Sequence, residues 1–217
     1  MDHLRRGSGS ILPCLHLVVS RRALILASAS PARLRLLRDA GIEPSVVVSG
    51  VDESAVPNDD PEAMVGELAA LKAKAVAADL TQPGALVLGA DSTLVLDGQA
   101  LGKPSTPEAA TERWRQMRGR SGALLTGHYL IDLDSGRSAQ GLGRTVVHFG
   151  SPTDEEIAAY VASGEPLHVA GAFTLDGRGA QFVDGIEGDH SNVVGLSLPV
   201  VRRLLAELDV GIVSLWH

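Results

Sequence analysis

Two proline-capped starts constrain the first third of this sequence more than any other feature. Ser30-Pro31 follows the apolar run Ala23-Leu-Ile-Leu-Ala-Ser28, and Asp60-Pro61 follows a second apolar run and an acidic loop. A Ser or Asp N-cap followed by proline pre-organises the first turn of an α-helix. A short apolar run ahead of such a cap reads as a buried strand. A chain that goes strand, cap, helix and then repeats the order packs helices on a sheet, which points to an α/β class.

The remaining pattern extends this reading. The first helix carries Leu34, Leu36, Leu37 and Ala40 and stops at Gly41, since a glycine just past a helix end takes the left-handed conformation cheaply. Pro44 to Ser49 reads as a second strand around Val46-Val-Val48, entering the acidic loop Val51-Asp-Glu-Ser54. The Ala-rich segment Glu62 to Asp79 is helical by propensity. Leu86-Val-Leu88 is a third strand, expected to end in Gly89-Ala-Asp91, with a tight turn at Asp97-Gly98. Pro107 to Met117 is a further helix, and Ser135-Gly136 turns a long hairpin from Ala123 to Val147. Thr153-x-x-Glu156 matches a capping box for a helix through Tyr160. A glycine-dense region, Gly164 to Gly195, precedes a last amphipathic helix from Leu198 to Leu208. Alternating elements followed by long hairpins predict a mixed sheet with flanking helices and two lobes around a cleft.

Composition narrows the function. With Lys+Arg 19 against Asp+Glu 26 the formal charge is −7, the wrong sign for a general nucleic-acid coat. Trp 2, Tyr 2 and Phe 3 leave little for base-stacking platforms. The single cysteine, Cys14, excludes an intramolecular disulfide framework and any multi-Cys metal site, so a reducing compartment, the cytoplasm, is the plain reading. No apolar stretch approaches the ~18 residues of a membrane span. The apolar run Ile11 to Val19 loosely imitates a signal peptide, but Pro13 and His16 interrupt it and Arg21-Arg22 follow it. Residues 1–21 therefore read as a disordered or dispensable leader and residues 22–217 as the domain.

Three polar clusters can carry chemistry. In Ser28-Ala-Ser30-Pro-Ala-Arg33 a strand gives way to a helix, so backbone N–H groups and the positive end of the helix dipole face one point, a ready anion site. The same grammar is met by an ordinary capped helix with a solvated arginine. In Gly89-Ala-Asp91-Ser92 a strand-terminal carboxylate can hold a divalent cation or take a proton from water, or merely cap the next turn. Asp52 and Glu53 are its candidate partner carboxylates, although acidic loops are commonly just solvated. The third cluster is cationic: Lys72 and Lys74 on the Ala-rich helix, and Lys103 in Leu101-Gly-Lys-Pro104. Lysines beside an anion site neutralise phosphates as point charges, and otherwise serve solubility. The seven histidines show no paired ligand spacing, so a zinc site is not expected.

In series, these clusters resemble the Maf family of nucleoside triphosphate pyrophosphatases. Leu26-Ala-Ser-Ala-Ser-Pro-Ala-Arg33, Val51-Asp-Glu53, Leu71-Lys-Ala-Lys-Ala75, Gly89-Ala-Asp91 and Leu101-Gly-Lys-Pro104 stand in the family's order. Tyr160-x-x-Ser-Gly-Glu165, Ala170-Gly-Ala-Phe173, Asp176-Gly-Arg-Gly179, Ile186-Glu-Gly188 and Asn192-Val-Val-Gly-Leu196 continue it. The resemblance implies an elongated two-lobed fold, similar to the inosine triphosphate pyrophosphatases. It implies hydrolysis between the α and β phosphates to a monophosphate and pyrophosphate, serving to remove non-canonical nucleotides from the pool. Asp91 then corresponds to the general base, Glu53 and Asp91 to ligands of a divalent cation, in the first place magnesium, and Ser28, Ser30, Arg33, Lys72 and Lys103 to groups around the triphosphate.

The departures concern the base. The first arginine of the family's Ser-Pro-Arg-Arg is Ala32, the threonine after the aspartate is Ser92, and the glutamine of a later Ile-Gln-Gly motif is Asp176. In the subgroup acting on dTTP and UTP these places are linked to base choice, so that preference does not transfer. Ser92 and Asp176 are carried as substrate-binding positions, and an acidic Asp176 can accept from amino or imino groups, as on guanine or cytosine. The competing function is a nucleotide-binding regulator of septation acting through a partner without hydrolysis. A nucleoside triphosphate is the expected partner, with no nucleic acid and no membrane, and a homodimer is compatible with the sequence.

Overall fold

Residues 21–57 and 59–217 are described by the computed structural model; the expected leader lies outside them apart from Arg21. Strand β1 (Ala23–Ala27) leads into helix α1 (Pro31–Asp39), with Ser30 as N-cap and Gly41 just past the end at φ +79°. Strand β2 (Ser45–Val46) is shorter than the expected Pro44–Ser49. It lies at the sheet edge with β1 on one side only, and Val46 to Val48 stay exposed, so little packing holds a longer ladder there. Asp60 caps helix α2 (Pro61–Ala78) by accepting from the N–H groups of Glu62 and Ala63.

Strand β3 (Ala85–Leu96) does not end at Asp91 but runs five residues beyond it, turns at Asp97-Gly98, and returns as β4 (Gln99–Leu101). After helix α3 (Pro107–Met117), the hairpin of β5 (Ser121–Asp132) and β6 (Ser138–Phe149) supplies the partner that keeps β3 extended, with Asp91 opposite Gly127 and Ser92 opposite Thr126. Helix α4 (Asp154–Ala162) starts with the expected Thr153–Glu156 capping box. The glycine-dense region folds into 3₁₀ turns and strand β7 (Val183–Glu187), then the short helix α5 (His190–Val194), before helix α6 (Leu198–Glu207). The sheet is mixed, in the order β2-β1-β3-β5-β6-β7 with β4 on β3; β1 runs parallel to β2 and β3 and the other pairs are antiparallel.

Two packing regions share the long strands. In the first, Leu24, Leu26, Leu86, Leu88 and Ala90 meet Leu37 of α1 and Val200, Val201, Leu204 and Leu205 of α6 on one face, while Ile25, Ala27 and Val87 meet Ala73 and Val76 of α2 on the other. In the second, the far halves of β3, β5 and β6 meet α3 and α4. Five of the chain's seven aromatic residues gather there, and Trp114 stands edge-on to Phe149, Tyr160 and Phe182 at 5.6–5.8 Å between ring centroids. The Trp114 indole N–H donates to the Ala172 carbonyl at 2.8 Å, so this lobe folds back onto the 3₁₀ segment. The two lobes foreseen from the sequence are these two cores.

Two glycines set how closely α2 lies on the sheet. A Cβ on Gly89 would fall 2.2 Å from the Ala69 carbonyl oxygen, and one on Gly127 would fall 2.2 Å from that of Val65. Both clashes are with helix backbone, which cannot swing aside. Gly127→Ala is therefore expected to cost about 3 kcal/mol, a midpoint drop of roughly 6–12 °C in thermal unfolding. Gly66 lies on the same helix with open space at its Cβ position. Gly66→Ala should stabilise by about 0.5–1 kcal/mol, so the two substitutions move the midpoint in opposite directions.

Candidate active site

The close approach of α2 brings Lys72 to Asp91. Strand β1 pairs with β3 only as far as Gly89, and β4 pairs with it only from Leu94 onward. The edge of β3 between them, Ala90 to Thr93, is a window between the two lobes. Alternation along the strand sends Asp91 to the α2 face and Ser92 to the opposite face, where α1, α5 and α6 pack.

On the α2 face, the Lys72 ammonium donates to Asp91 Oδ1 at 2.6 Å and pairs with Glu53 Oε1, also at 2.6 Å. Lys72 and Asp91 are 9% and 13% exposed at the side chain, and Glu53 is half exposed on a 3₁₀ turn, Glu53–Ala55. Partial burial pushes the Glu53 carboxyl up, but Lys72, then Lys103 and Arg33, outweigh this and hold it below its ordinary value. Lys103 is itself exposed on the loop after β4. Two cluster members go elsewhere. Asp52 turns away to accept from the Ser54 N–H and hydroxyl at 3.0 and 2.7 Å. Lys74, two residues and more than half a helical turn from Lys72, lies 5.3 Å from the centre of the Tyr129 ring.

At the β1–α1 turn the serines accept from the protein through their oxygens. Ser28 Oγ accepts from the Ser30 N–H at 3.2 Å and from Arg33 Nη1 at 3.0 Å, and Ser30 Oγ accepts from the Arg33 N–H at 3.4 Å. A hydroxyl used as an acceptor retains its own O–H to donate, so the turn is both a helix cap and a source of donors for an anion. Arg33 is buried, at 8% exposure. Its other bonds reach the Gly195 and Ala90 carbonyls at 2.7 and 2.8 Å and Ser92 Oγ at 2.9 Å. Burial pulls the guanidinium below its ordinary value, partly offset by the charges of Asp91 and Glu53.

Asp176 sits on the second lobe, in the loop after Phe173, where it forms an ion pair with Arg35 of α1. That loop is fixed by Glu165, whose carboxylate accepts from the Tyr160 hydroxyl, the Thr174 hydroxyl, and the N–H groups of Arg178 and Gly179. Burial pushes the Glu165 carboxyl up, but these four donors outweigh it and hold it low. By residue type alone nothing in the sequence marks Glu165, Arg35, Thr126 or Gly195 as functional. Glu165, Gly195 and Asn192 had a signal only as members of motifs quoted for the family resemblance, while Arg35 and Thr126 had none.

Behind Ser92 a buried network continues. Thr126 Oγ1 lies 2.9 Å from Ser92 Oγ, Asn192 Nδ2 donates to the Leu124 carbonyl and to Thr145 Oγ1, and Asp189 accepts from the Ser191 and Ser197 hydroxyls. His128 accepts the Ser197 N–H through Nε2 at 2.9 Å. Burial, with the charge of Arg33 behind it, pushes the His128 imidazole from 6.5 down to about 4, so it is neutral near pH 7.

Two cavities lie away from Asp91, Glu53 and Lys72. One of about 450 Å³ is lined by Glu62, Gly66, His128 and Leu142, and one of about 540 Å³ by Ile42, Val201, Ile212 and Trp216. Asp91 lines neither. Among the described residues no group of three or more His, Cys, Asp or Glu could hold a metal, and no helix is long and apolar enough to cross a membrane.

The family described as Maf-like protein matches residues 23–208. The chain belongs to the Maf family. It is 64% identical over 196 residues to a protein of Streptomyces coelicolor named nucleoside triphosphate pyrophosphatase, covering 90% of this chain and 95% of that one. Proteins of the same name from Streptomyces avermitilis and Salinispora tropica are 62% and 56% identical, covering 90% and 89% of this chain and 95% and 87% of theirs. A solved structure of the Staphylococcus aureus Ham1 protein aligns at TM-score 0.48 with 14% identity, covering 86% of this chain and 100% of that chain.

In this Maf protein the neutral His128 carries a pH dependence of stability. The unfolded chain takes up the proton near 6.5 and the folded one only near 4, so between these values unfolding binds a proton and stability drops as the pH is lowered. The slope approaches about 1.4 kcal/mol per pH unit between those values and is absent above them. Denaturant titrations of wild type and His128→Gln at pH 7.5, 6, 5 and 4 should diverge in slope; parallel curves would show that His128 titrates normally.

Proposed function

We propose that the chain is a nucleoside triphosphate pyrophosphatase that cleaves between the α and β phosphates, releasing a nucleoside monophosphate and pyrophosphate. The observation that carries this reading is the Lys72 ammonium held at 2.6 Å from both Glu53 and Asp91, the latter on the strand whose Gly89 pairs with Ala27 just before the β1–α1 turn. Two carboxylates already gathered on one cation, flanked by anion donors, form a site for a polyphosphate with its counter-cation. The family and the names of its relatives point the same way.

The residues fit a divalent cation. Asp91 and Glu53 supply hard oxygen donors, and a magnesium ion commonly needs only one or two carboxylates when substrate phosphates complete its shell. Bound there, magnesium would neutralise phosphate charge and stabilise the charge that develops on the leaving group. Ser28 and Ser30 donate O–H groups to phosphate oxygens, while Lys72 and Lys103 offset the remaining negative charge as point cations. Asp91 orients a water in line with the pyrophosphate leaving group and takes its proton as the oxygen bonds to the α-phosphorus and the bridging P–O bond breaks. Ser92 stands one residue further on the same strand. Asp176, on the opposite lobe, faces the base and accepts from amino or imino groups.

The reading gives the enzyme a cytoplasmic nucleotide pool to clear of non-canonical members. The names of the relatives favour hydrolysis over a non-hydrolysing regulator of septation, and Asp91, Glu53, Lys72 and Lys103, the groups this reading uses, are all present.

Asp91→Asn keeps the shape of the carboxylate and removes its basicity, so kcat should fall by about 10³-fold, while the fold survives because Lys72 keeps Glu53 as its partner. Product analysis with magnesium should show pyrophosphate and monophosphate; stepwise orthophosphate, or an Asp91→Asn variant at wild-type rate, would refute the reading. Across a panel of common and modified triphosphates, guanine or cytosine bases should be preferred, and Asp176→Asn should weaken that preference. A clear preference for UTP or dTTP in the wild type would remove Asp176 from base recognition.

A further inference from the structure

The guanidinium of Arg33 has five N–H donors, and the protein takes four of them. Nε–H goes to the Gly195 carbonyl at 2.7 Å, the two Nη1 hydrogens to Ser28 Oγ at 3.0 Å and the Ala90 carbonyl at 2.8 Å, and one Nη2 hydrogen to Ser92 Oγ at 2.9 Å. The group is 8% exposed and binds Ser92, whose side chain points to the face of β3 opposite Asp91. Where β1 leaves the sheet, Arg33 donates to the bare edge of β3 in place of the missing strand. We infer that Arg33 is a positioning residue of the pyrophosphatase rather than a ligand of the triphosphate. It joins the end of β1, the window of β3 and the corner between α5 and α6, and so fixes the backbone that carries Asp91. By occupying a lone pair of Ser28 Oγ, it leaves the Ser28 O–H as the group aimed at phosphate.

The chain of contacts extends away from substrate. Ser92 Oγ rests on Thr126 Oγ1 at 2.9 Å, and Thr126, fully buried, donates to the Asn192 carbonyl at 3.4 Å. Thr126 is therefore the outer support of the same arrangement, touching the reaction only through Ser92 and Arg33. A Lys at position 33 would keep the charge but could not span four acceptors on three elements, which separates geometry from charge.

The inference rests on the pyrophosphatase reading, and the test keeps the two apart by measuring pyrophosphate binding as well as turnover. Steady-state kinetics and calorimetric titration with pyrophosphate and magnesium are run on wild type, Arg33→Met, Arg33→Lys and Thr126→Val. If Arg33 positions, Arg33→Met and Arg33→Lys lose kcat alike, by about 10²-fold for a displacement near 1 Å, while pyrophosphate affinity stays within about threefold. Thr126→Val loses kcat by a smaller factor, also with affinity unchanged. If Arg33 is a phosphate ligand, KM and the pyrophosphate Kd rise together by tenfold or more and Arg33→Lys recovers most of the loss; that result overturns the inference. Should the Arg33 variants fail to fold, Thr126→Val decides: kcat reduced at constant pyrophosphate affinity upholds the inference, and an unchanged kcat or a weakened affinity overturns it. A wild type that binds pyrophosphate but releases none from any triphosphate would refute the pyrophosphatase reading alone, leaving Arg33 to be judged by the binding data.

Discussion

The rest of the structure depends on how closely α2 lies against β3 and β5. At Gly89 and Gly127 the helix backbone occupies the volume where any other residue would place its Cβ. That contact lets Lys72, itself mostly buried, end its side chain between Asp91 and Glu53. A helix standing one methyl further from the sheet would leave the Asp91 carboxylate without its cation. Breaking a buried ion pair on one side costs several kcal/mol, about 3–5, because a charge is left uncompensated. The small side chains on this face of α2, Ala69 and Ala73 above all, serve the same closeness.

A second constraint is the continuity of β3. A strand that ended at Asp91 would make it one more capping carboxylate, mobile at the end of an element. Running on to Leu96, β3 instead belongs to both cores and carries Asp91 through the interval where β1 has stopped and β4 has not begun. The site is therefore open at an edge yet built on a strand that pairs with three others, β1, β4 and β5. Rigid support on one side and a gap on the other is what a polyphosphate site needs, since charged groups must be pre-aimed without being sealed from the ligand. The opposite face of the same strand holds Ser92 in the network of Arg33, Thr126 and Gly195.

Much of this was legible in the residues. Ser30-Pro31, Asp60-Pro61 and Thr153-x-x-Glu156 marked helix starts where they stand, because a cap satisfies backbone N–H groups through a side chain only two or three residues away. Asp97-Gly98 turned as expected, since its left-handed conformation is a local matter. The ends of strands were less legible. β2 came out shorter and β3 longer than the pattern suggested, for a strand lasts as long as its neighbour does, and the neighbour lies far away in the sequence. Among the site groups, Lys72 and Lys74 looked alike, as did Asp52 and Glu53. The family resemblance already singled out Lys72 and Glu53, and in the structure Lys72 pairs with both Asp91 and Glu53 while Lys74 faces a tyrosine ring and Asp52 its own turn.

The sequence by itself determined the class of fold, the helix starts and the inventory of charged groups from which a phosphate site could be assembled, because each depends on interactions within a few residues. Tertiary structure decided which members of that inventory meet. It buried Arg33 behind the strand with four of its donors already bound, set Lys72 between two carboxylates, and placed Asp176 against Arg35 from the other lobe. The physical reason is that a charge takes its role from its neighbours and its exposure, and both are set by elements that approach from opposite ends of the chain.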